Sequence, residues 1–417
     1  LAKERINDDP VSSVFGTAAK GVSKAARLLA GTYTLVATNV PYLQRSKQGE
    51  TLKQFCDKHH PNSKRNIATA FIERCSAFTS LGGCYTLVTP QNWRSLGSYA
   101  NLRKRLLLEQ TWNIVVNLGS KAFQTPMWDF NVGFTIITNN YPSKDQILVG
   151  VDASASKTVH GKATLLCHST LLFAGQITQL QNPDFRISLD EPSTGELLNK
   201  YTDAYAGILS GDYSRFGRCF WEMPELPSGW VFQYSTVSTT REFGGCEHIL
   251  LWEDGKGQLA EYHAQLASLR YASGAWKQGR HAWGKKGVIV SQMGKLPCTL
   301  YTGELFDNNC AVIVPKNSKY LPAIWAYCRS PEFNTAVRRI DQKMNVTNAT
   351  LVKVPFDLEY WQKVADAAGP LPEPYSNDPT QWLFKGNPVD STEPLQVAVA
   401  RLLGHRWPQQ KSDNLHT

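Results

Sequence analysis

The stretch TYTLVATNVPY, residues 32–42, combines the pattern that decides the fold class with the residues best suited to chemistry. Its β-branched run Thr32–Thr38 predicts a buried strand, and the turn Asn39-Val40-Pro41-Tyr42 follows directly. In an open α/β sheet, ligands bind just beyond the carboxyl ends of the strands. We therefore expect a ligand site at this turn.

The same texture continues towards residue 140, where short β-branched runs alternate with helical periodicity. The pattern predicts three more strands, at Cys84–Thr89, Trp112–Asn117 and Val132–Thr138. It also predicts three helices, at Leu52–His60, Asn66–Phe78 and Ser98–Glu109. Such alternation predicts a parallel α/β sheet with both faces covered. Because four strands are few for a complete nucleotide-binding sheet, we expect a half-sheet whose front half is missing from the sequence.

The sequence pattern of the rest of the chain divides it into three segments. Residues 141–190 are predicted to be a linker with a bridging helix near Leu171–Gln181, and residues 191–368 are predicted to form a second domain of α+β type. Residues 369–417 are predicted to be a Pro-rich connector followed by a helix over Leu395–Leu403. Residues 1–140 then form a separate α/β part at the start of the sequence.

The turn carries the acceptors that an amino group on a nucleobase requires. Such an amino group is a poor nucleophile because its lone pair is delocalised into the ring. The side-chain oxygen of Asn39 and the backbone carbonyl of Pro41 can each accept one hydrogen bond from it, which frees the lone pair for attack. Tyr42 can stack on an extruded base, a contact worth about 1–3 kcal/mol, comparable to the cost of flipping the base. This chemistry needs no metal and no strong base.

Charge and cysteine content narrow the class of protein. The 417 residues carry a formal charge of +9; residues 1–140 contain 17 Lys/Arg against 8 Asp/Glu, and residues 141–417 contain 27 of each. Positive charge concentrated in one third of a chain indicates a polyanionic partner. Nine cysteines without a CxxC pair indicate reduced cytoplasmic thiols instead of disulfides or a zinc site. No apolar run reaches the roughly 18 residues that a membrane span needs.

Four segments carry a resemblance to a known family, namely TNVPYL, NIATAFIERC, GGCYTLVTPQNW and LRKRLLLEQTWNIVVNLGSKAF. Together they resemble the second half of the catalytic domain in adenine-specific (N6) DNA methyltransferases of the type IIG restriction-modification and phage-defence (DISARM-like) class. The catalytic tetrapeptide of that family is Asn/Asp-Pro-Pro-Tyr/Phe, and Val40 replaces its first proline here. The resemblance implies catalytic roles for Asn39, Pro41 and Tyr42.

The resemblance also implies an activity and a domain plan. Residues 1–140 are expected to be the C-terminal half of the catalytic domain, a partial Rossmann-like sheet, and residues 191–368 the target-recognition domain. The implied reaction transfers a methyl group from S-adenosylmethionine to N6 of a flipped adenine in double-stranded DNA. The implied partners besides DNA are the rest of the parent polypeptide or other defence-system subunits. The alternative is a non-catalytic DNA-recognition fragment or subunit with a structural half-methyltransferase domain.

The cofactor loop of that family is a Gly-rich turn after the first strand of the sheet, and we expect it upstream of residue 1. Within the sequence, the Gly-bearing candidate is Phe15–Gly21. We interpret this segment as the start of a helix, because two glycines at this spacing are a weak signal for a phosphate or cofactor loop.

Three groups of basic and aromatic residues are candidate DNA contacts, since cations neutralise phosphates and aromatic rings stack on bases. The first lies in the acid-free run, 42 residues from 262 to 303, and comprises Arg270, Trp276, Lys277, Arg280, Trp283, Lys285 and Lys286. The second comprises Arg94, Arg103, Lys104 and Arg105, and the third comprises Arg215 and Arg218. The alternatives are a solvated loop with its tryptophans in the core, a solvated helix face and a buried Arg–Asp pair, respectively.

Overall fold

The computed structural model of the chain describes residues 10–124, 131–189, 195–268, 274–341, 344–374, 376–383 and 394–402. The chain divides into two units, Leu1–Pro192 and Ser193–Thr417. Each unit has its own sheet structure and its own hydrophobic clusters.

A six-stranded sheet forms the centre of the first unit. Its strands are β1 (Tyr33–Asn39), β2 (Thr79–Pro90), β3 (Thr111–Gly119), β4 (Val132–Thr138), β5 (Ile147–Asp152) and β6 (Leu172–Gly175). The accompanying helices are α1 (Pro10–Ala30), α2 (Glu50–His59), α3 (Ile67–Phe78), α4 (Ala100–Glu109) and α5 (Val159–His168). The predicted strands and helices of residues 32–138 all occur, with ends shifted by a few residues.

The strand order in this sheet is β1-β2-β4-β3-β5-β6. β1 pairs parallel with β2 and β3 pairs parallel with β5, whereas β4 runs antiparallel to both β2 and β3. The expected α/β class is therefore confirmed, but the expected all-parallel sheet is wrong. An apolar, β-branched run marks a strand without indicating its direction, which depends on the neighbours with which the strand pairs.

Residues 141–190 differ from the expected linker because they extend the same sheet. β5 pairs with β3, and β6 adds to β5 as an antiparallel edge strand. The helix expected at Leu171–Gln181 is instead β6 followed by a short 3-10 helix, Ile177–Gln181. The run Leu172–Gly175 is only four residues long, too short to show the period that separates a strand from a helix.

β1 is the second edge strand of the described sheet, since it pairs with β2 alone. Tyr33 is 38% exposed and Leu35 is 65% exposed, so the expectation of a buried strand is wrong. An apolar run is buried on both faces only where neighbours and covering helices surround it. The residue that follows, Val40, is buried at 4% exposure and anchors the end of the strand.

The second unit combines two four-stranded sheets with seven helices among its described residues. The sheets have the orders β13-β9-β10-β8 and β12-β11-β14-β7, built from β7 (Thr202–Ala206), β8 (Gly217–Cys219), β9 (Trp230–Tyr234), β10 (His248–Leu251), β11 (Gly287–Ser291), β12 (Cys298–Tyr301), β13 (Leu305–Phe306) and β14 (Cys310–Pro315). The helices are α6 (Tyr213–Phe216), α7 (Gln258–Ser268), α8 (Leu321–Cys328), α9 (Pro331–Ile340), α10 (Asn348–Leu351), α11 (Leu358–Ala368) and α12 (Pro394–Leu402). This composition confirms the expected α+β class, and α12 matches the helix predicted near the end of the chain.

The main core of the second unit lies between its buried central strands and the helices that follow them. Every residue of β11 is buried, as are all but the last residue of β14, and side chains of α8 and α9 pack against them. Across the part of the chain that the structure describes, no helix is long and apolar enough to traverse a lipid bilayer. All nine cysteines are free thiols.

Candidate active site

The turn Asn39–Tyr42 leaves the first unit's sheet at a carboxyl edge. Asn39 ends β1 and lies opposite Val88 of β2 in the parallel register. The side chains of Asn39 and Pro41 are exposed, while Val40 between them is buried. Val40 therefore fixes the turn to the core and leaves the two predicted acceptor residues open to a ligand. The position agrees with the expectation drawn from the sequence.

Tyr42 is partly buried, and its hydroxyl faces two acceptors. The Oη atom lies 3.3 Å from Asn39 Oδ1 and 3.3 Å from the carbonyl oxygen of Val88. A hydroxyl has one hydrogen, so it donates to one of these oxygens at a time. Burial raises the pKa of Tyr42 above its usual value of 10, so the hydroxyl keeps its proton at neutral pH. The tyrosine is therefore a donor within the turn.

The segment after Tyr42 is held by Asn66, a residue that the sequence analysis treated only as the start of a helix. Asn66 is the N-cap of α3, and its Oδ1 accepts the N–H of Ala68 at 3.0 Å. The same oxygen accepts the N–H of Leu43 at 3.3 Å. The carbonyl of Leu43 accepts the N–H of Ile67 at 3.0 Å and the side-chain amide of Gln48 at 3.1 Å. Asparagine before a helical pattern is a recognised cap signal, but its second contact is tertiary.

Arg105, a predicted DNA contact, is engaged by Glu73 of α3. Glu73 is 11% exposed in its side chain, forms an ion pair with Arg105 and contacts His60 Nδ1 at 2.8 Å. The hydroxyl of Ser63 donates to the same carboxylate. These contacts hold the loop between α2 and α3, so Arg105 has a structural partner within the same unit.

Arg103 is fully buried and binds only backbone carbonyls. Its guanidinium donates to Trp93 at 2.5 Å, Leu96 at 2.8 Å, Asp184 at 2.6 Å and Phe185 at 3.0 Å. Burial lowers the pKa of Arg103 to about 9, and the group is charged at neutral pH. A side chain without solvent access cannot reach a phosphate, so the predicted DNA contact has no support in the structure.

Arg94 and Lys104 differ in their access to solvent. Arg94 is 6% exposed, donates to the carbonyl of Val116 at 3.4 Å, and has its pKa lowered to about 10 by burial. Lys104 is exposed, and its Nζ lies 5.4 Å from the centre of the Phe185 ring. In the second predicted group, Lys104 is exposed, Arg94 and Arg103 are buried, and Arg105 is paired with Glu73.

The acid-free run of the second unit separates into exposed cations and packed tryptophans. The exposed cations form what we call the basic segment, Lys277, Arg280, Lys285 and Lys286. Trp276 and Trp283 instead pack in the hydrophobic clusters, Trp276 at 8% exposure. The alternative of core tryptophans therefore holds for these two residues, and Arg270 lies outside the described residues.

The third predicted group is partly free. Arg215 is exposed and lies over the ring of Phe216 at 4.8 Å, whereas Arg218 donates to the carbonyls of Ser214 and Gly217, each at 2.6 Å. The alternative of a buried Arg–Asp pair is not what the structure has. Asp212 instead caps α6 by accepting the backbone N–H of Arg215 at 3.2 Å.

The described residues of the first unit do not fit an S-adenosylmethionine site. Phe15–Gly21 lies inside α1, where its backbone is helical and forms no loop. No described strand of this unit leads into a helix through a glycine-rich turn, which is the element that approaches a nucleotide-like cofactor closely. Groups of three or more His, Cys, Asp or Glu able to hold a metal ion are absent from the described part of the chain.

Comparison with known proteins agrees with this fold. Residues 7–123 match the Eco57I restriction-modification methylase family, and the match includes the turn at Asn39. Together with the names of two curated relatives, this match confirms the resemblance to adenine-specific methyltransferases of restriction-modification and phage-defence systems.

Two curated relatives carry more particular names. The chain is 31% identical over 358 residues to adenine-specific methyltransferase BrxX of Escherichia coli O9:H4 (strain HS), which covers 79% of this chain and 28% of that protein. It is also 31% identical over 107 residues to adenine-specific methyltransferase PglX of Lacticaseibacillus casei (strain Zhang), covering 25% of this chain and 9% of that protein. The chain thus spans less than a third of either relative.

A solved structure shares the fold across both units. The Type IIL restriction-modification enzyme MmeI in complex with DNA aligns with a TM-score of 0.53 at 13% identity, covering 89% of this chain and 53% of that chain. At this level of identity the likeness concerns the fold alone. It confirms the predicted fold class, an α/β sheet followed by an α+β domain.

Proposed function

We propose that the chain is the part of a DNA adenine-N6 methyltransferase that carries the catalytic turn and the target-recognition domain. The whole protein transfers a methyl group from S-adenosylmethionine to a flipped adenine in a restriction-modification or phage-defence system. The observation that supports this most strongly is the turn Asn39–Tyr42, with its exposed acceptors, at the carboxyl end of β1.

The role of the turn is to activate an amino group by accepting a hydrogen bond from each of its two N–H groups. Asn39 Oδ1 accepts one N–H and the carbonyl of Pro41 accepts the other, which draws the nitrogen lone pair out of the ring. When the base occupies Asn39, the Tyr42 hydroxyl donates to the carbonyl of Val88, which lies at the same 3.3 Å distance. Tyr42 stacks on the flipped base, and this contact of about 1–3 kcal/mol offsets part of the flipping cost.

The proposed substrate is double-stranded DNA, bound through exposed cations. The basic segment places four exposed charges within ten residues of sequence. Lys277 lies over the ring of Trp276 at 4.2 Å, and Lys286 lies 3.8 Å from Glu373, a weak pair because both side chains are at least 70% exposed. Lys104 and Arg215 are further exposed candidates. Each phosphate that a cation neutralises makes binding more sensitive to salt. Other defence-system subunits and a cytoplasmic location belong to the same proposal.

The experiment is methyl transfer to duplex DNA by the whole protein with Asn39→Ala. We expect the rate to fall about 10²–10³-fold, the usual effect of removing one group that stabilises the transition state. The matched control is Asn101→Ala, since Asn101 is an exposed asparagine of α4 in the same unit. Undiminished methylation by Asn39→Ala would overturn the proposal and leave the non-catalytic, DNA-recognition alternative in its place.

A further inference from the structure

The loop between α2 and α3 pairs with the chain just after the catalytic turn. The N–H of Arg45 donates to the carbonyl of Arg65 at 2.9 Å, and Gln44 forms an antiparallel bridge with Asn66. The N–H of Ile67 donates to the carbonyl of Leu43 at 3.0 Å. The backbone of residues 43–45 is therefore tied to residues 65–67 as a short ladder.

The N–H of Leu43, next to the turn, is held by a side chain and not by this backbone ladder. The N–H of Leu43 donates to Asn66 Oδ1 at 3.3 Å, and it belongs to the peptide unit whose carbonyl is that of Tyr42. A peptide unit is planar, so fixing its N–H fixes the direction of the Tyr42 carbonyl as well. On the other side, the ring of Pro41 restricts the backbone. The Pro41 carbonyl and the Tyr42 ring thus lie between two constraints, of which Asn66 supplies one.

Asn66 is itself rigidly placed. As N-cap it is fixed to the first turn of α3 through Ala68, and its own carbonyl accepts the hydroxyl of Thr69 at 2.7 Å. The loop before it is held to Glu73 by His60 and by the buried Ser63. A side chain locked in this way can hold its partner to a fraction of an ångström, which is what a catalytic geometry needs.

We propose that Asn66 is a positioning residue for the catalytic turn: its side-chain oxygen joins the start of α3 to Leu43 and thereby aims the Pro41 carbonyl and the Tyr42 ring at the base. The inference rests on the proposed function, since it concerns the geometry of that same turn. Asn66 touches neither the base nor any reacting atom. Its effect is on the catalytic step and not on the binding of DNA.

Two substitutions separate the cap from the positioning contact. Asn66→Ser keeps a good N-cap for α3, but its oxygen lies one bond nearer the backbone and no longer reaches the N–H of Leu43. Asn66→Asp keeps an oxygen at the position of Oδ1 and therefore keeps both contacts. We expect Asn66→Ser to lower kcat of the whole protein about 10- to 100-fold, with KM for DNA within about 2-fold, and Asn66→Asp to restore kcat to within about 3-fold.

The control is Thr158→Ala, which removes the N-cap of α5 in the same unit without touching the turn. It should leave kcat unchanged. In the chain itself, hydrogen exchange of a peptide spanning residues 40–48 should accelerate in Asn66→Ser and match the native rate in Asn66→Asp.

The inference fails if Asn66→Ser keeps the native kcat, if Asn66→Asp does not restore it, or if Thr158→Ala lowers kcat equally. Asn39→Ala is measured in the same series. If Asn39→Ala lowers methylation while Asn66→Ser does not, the positioning role alone falls. If Asn39→Ala has no effect, the positioning role and the proposed function are both refuted.

Discussion

Replacing the buried Arg103 by methionine tests whether this residue holds the first unit together. Arg103 has no solvent access and donates four hydrogen bonds, to carbonyls of the segment 93–96 and of the segment 184–185. Arg103→Met fills most of the same space but donates none of them. The substitution therefore releases both segments from α4 at once.

The magnitude follows from the four carbonyls. Each hydrogen bond from a charged donor is worth about 1.5–3 kcal/mol, so losing four of them costs about 6–12 kcal/mol before any compensation. Methionine spares the desolvation of a buried cation, which returns several kcal/mol. We expect a net destabilisation of about 3 kcal/mol. Lys104→Met is the matched control at the next position, where the side chain is exposed, and should change stability by less than about 0.5 kcal/mol.

The assay is native-state hydrogen exchange of the α4 amides, which measures the free energy of opening for this part of the chain. Duplex DNA affinity is measured alongside. A loss below about 1 kcal/mol in Arg103→Met, or a loss no larger than in Lys104→Met, would refute the structural role. Native stability with weakened DNA binding would restore the sequence-based interpretation of Arg103 as a DNA contact.

Three further predictions concern the turn, the DNA surface and the core. Tyr42→Phe keeps the stacking ring and should leave methylation within about 10-fold of native, whereas Tyr42→Ala should lower it about 10- to 100-fold further, as measured in the same methyl-transfer assay. Replacing the four cations of the basic segment by glutamine should weaken duplex binding and reduce the slope of log K against log salt by up to about 0.9 per charge; an unchanged slope would exclude this segment as a phosphate contact. Burial raises the pKa of Tyr85 well above 10, so the unfolded chain loses this proton first and stability falls as pH rises above about 10. Urea unfolding at pH 9 and pH 11 should show a smaller fall for Tyr85→Phe, and an equal fall would contradict the assignment.

Much of the first unit could be predicted from local pattern. The apolar run Val132–Thr138 has the bounds of β4, and the asparagine before Ile67 marks the start of α3. The direction of β4 could not be predicted, because it depends on pairing between segments far apart in the sequence. The exposure of Leu35 on β1 could not be predicted for the same reason. A run of apolar residues does not show whether its strand lies in the middle or at the edge of the sheet.

The position of the turn at the end of β1 could be predicted from the sequence, but the contacts that hold the turn could not. Asn39, Pro41 and Tyr42 lie within four consecutive residues, so a short motif contains them. The contact between Asn66 and Leu43 spans 23 residues and exists only once the chain has folded.

Among the predicted DNA contacts, the charge of Arg103 was the misleading signal. Arg103 lies one turn before Leu106 and Leu107, on the buried face of α4, so helical periodicity placed it inside while its charge suggested the surface.

The two oxygens of the turn have a consequence for which bases can be accepted. Asn39 Oδ1 and the Pro41 carbonyl are both acceptors, so an incoming base must present hydrogens to both. A keto oxygen, as in guanine or thymine, would meet two oxygens and offer no hydrogen bond in return, while Tyr42 would still occupy Asn39. On the proposed function, the turn therefore favours an exocyclic amino group over a keto oxygen. It treats the amino groups of adenine and cytosine alike, so the turn does not by itself choose between a purine and a pyrimidine.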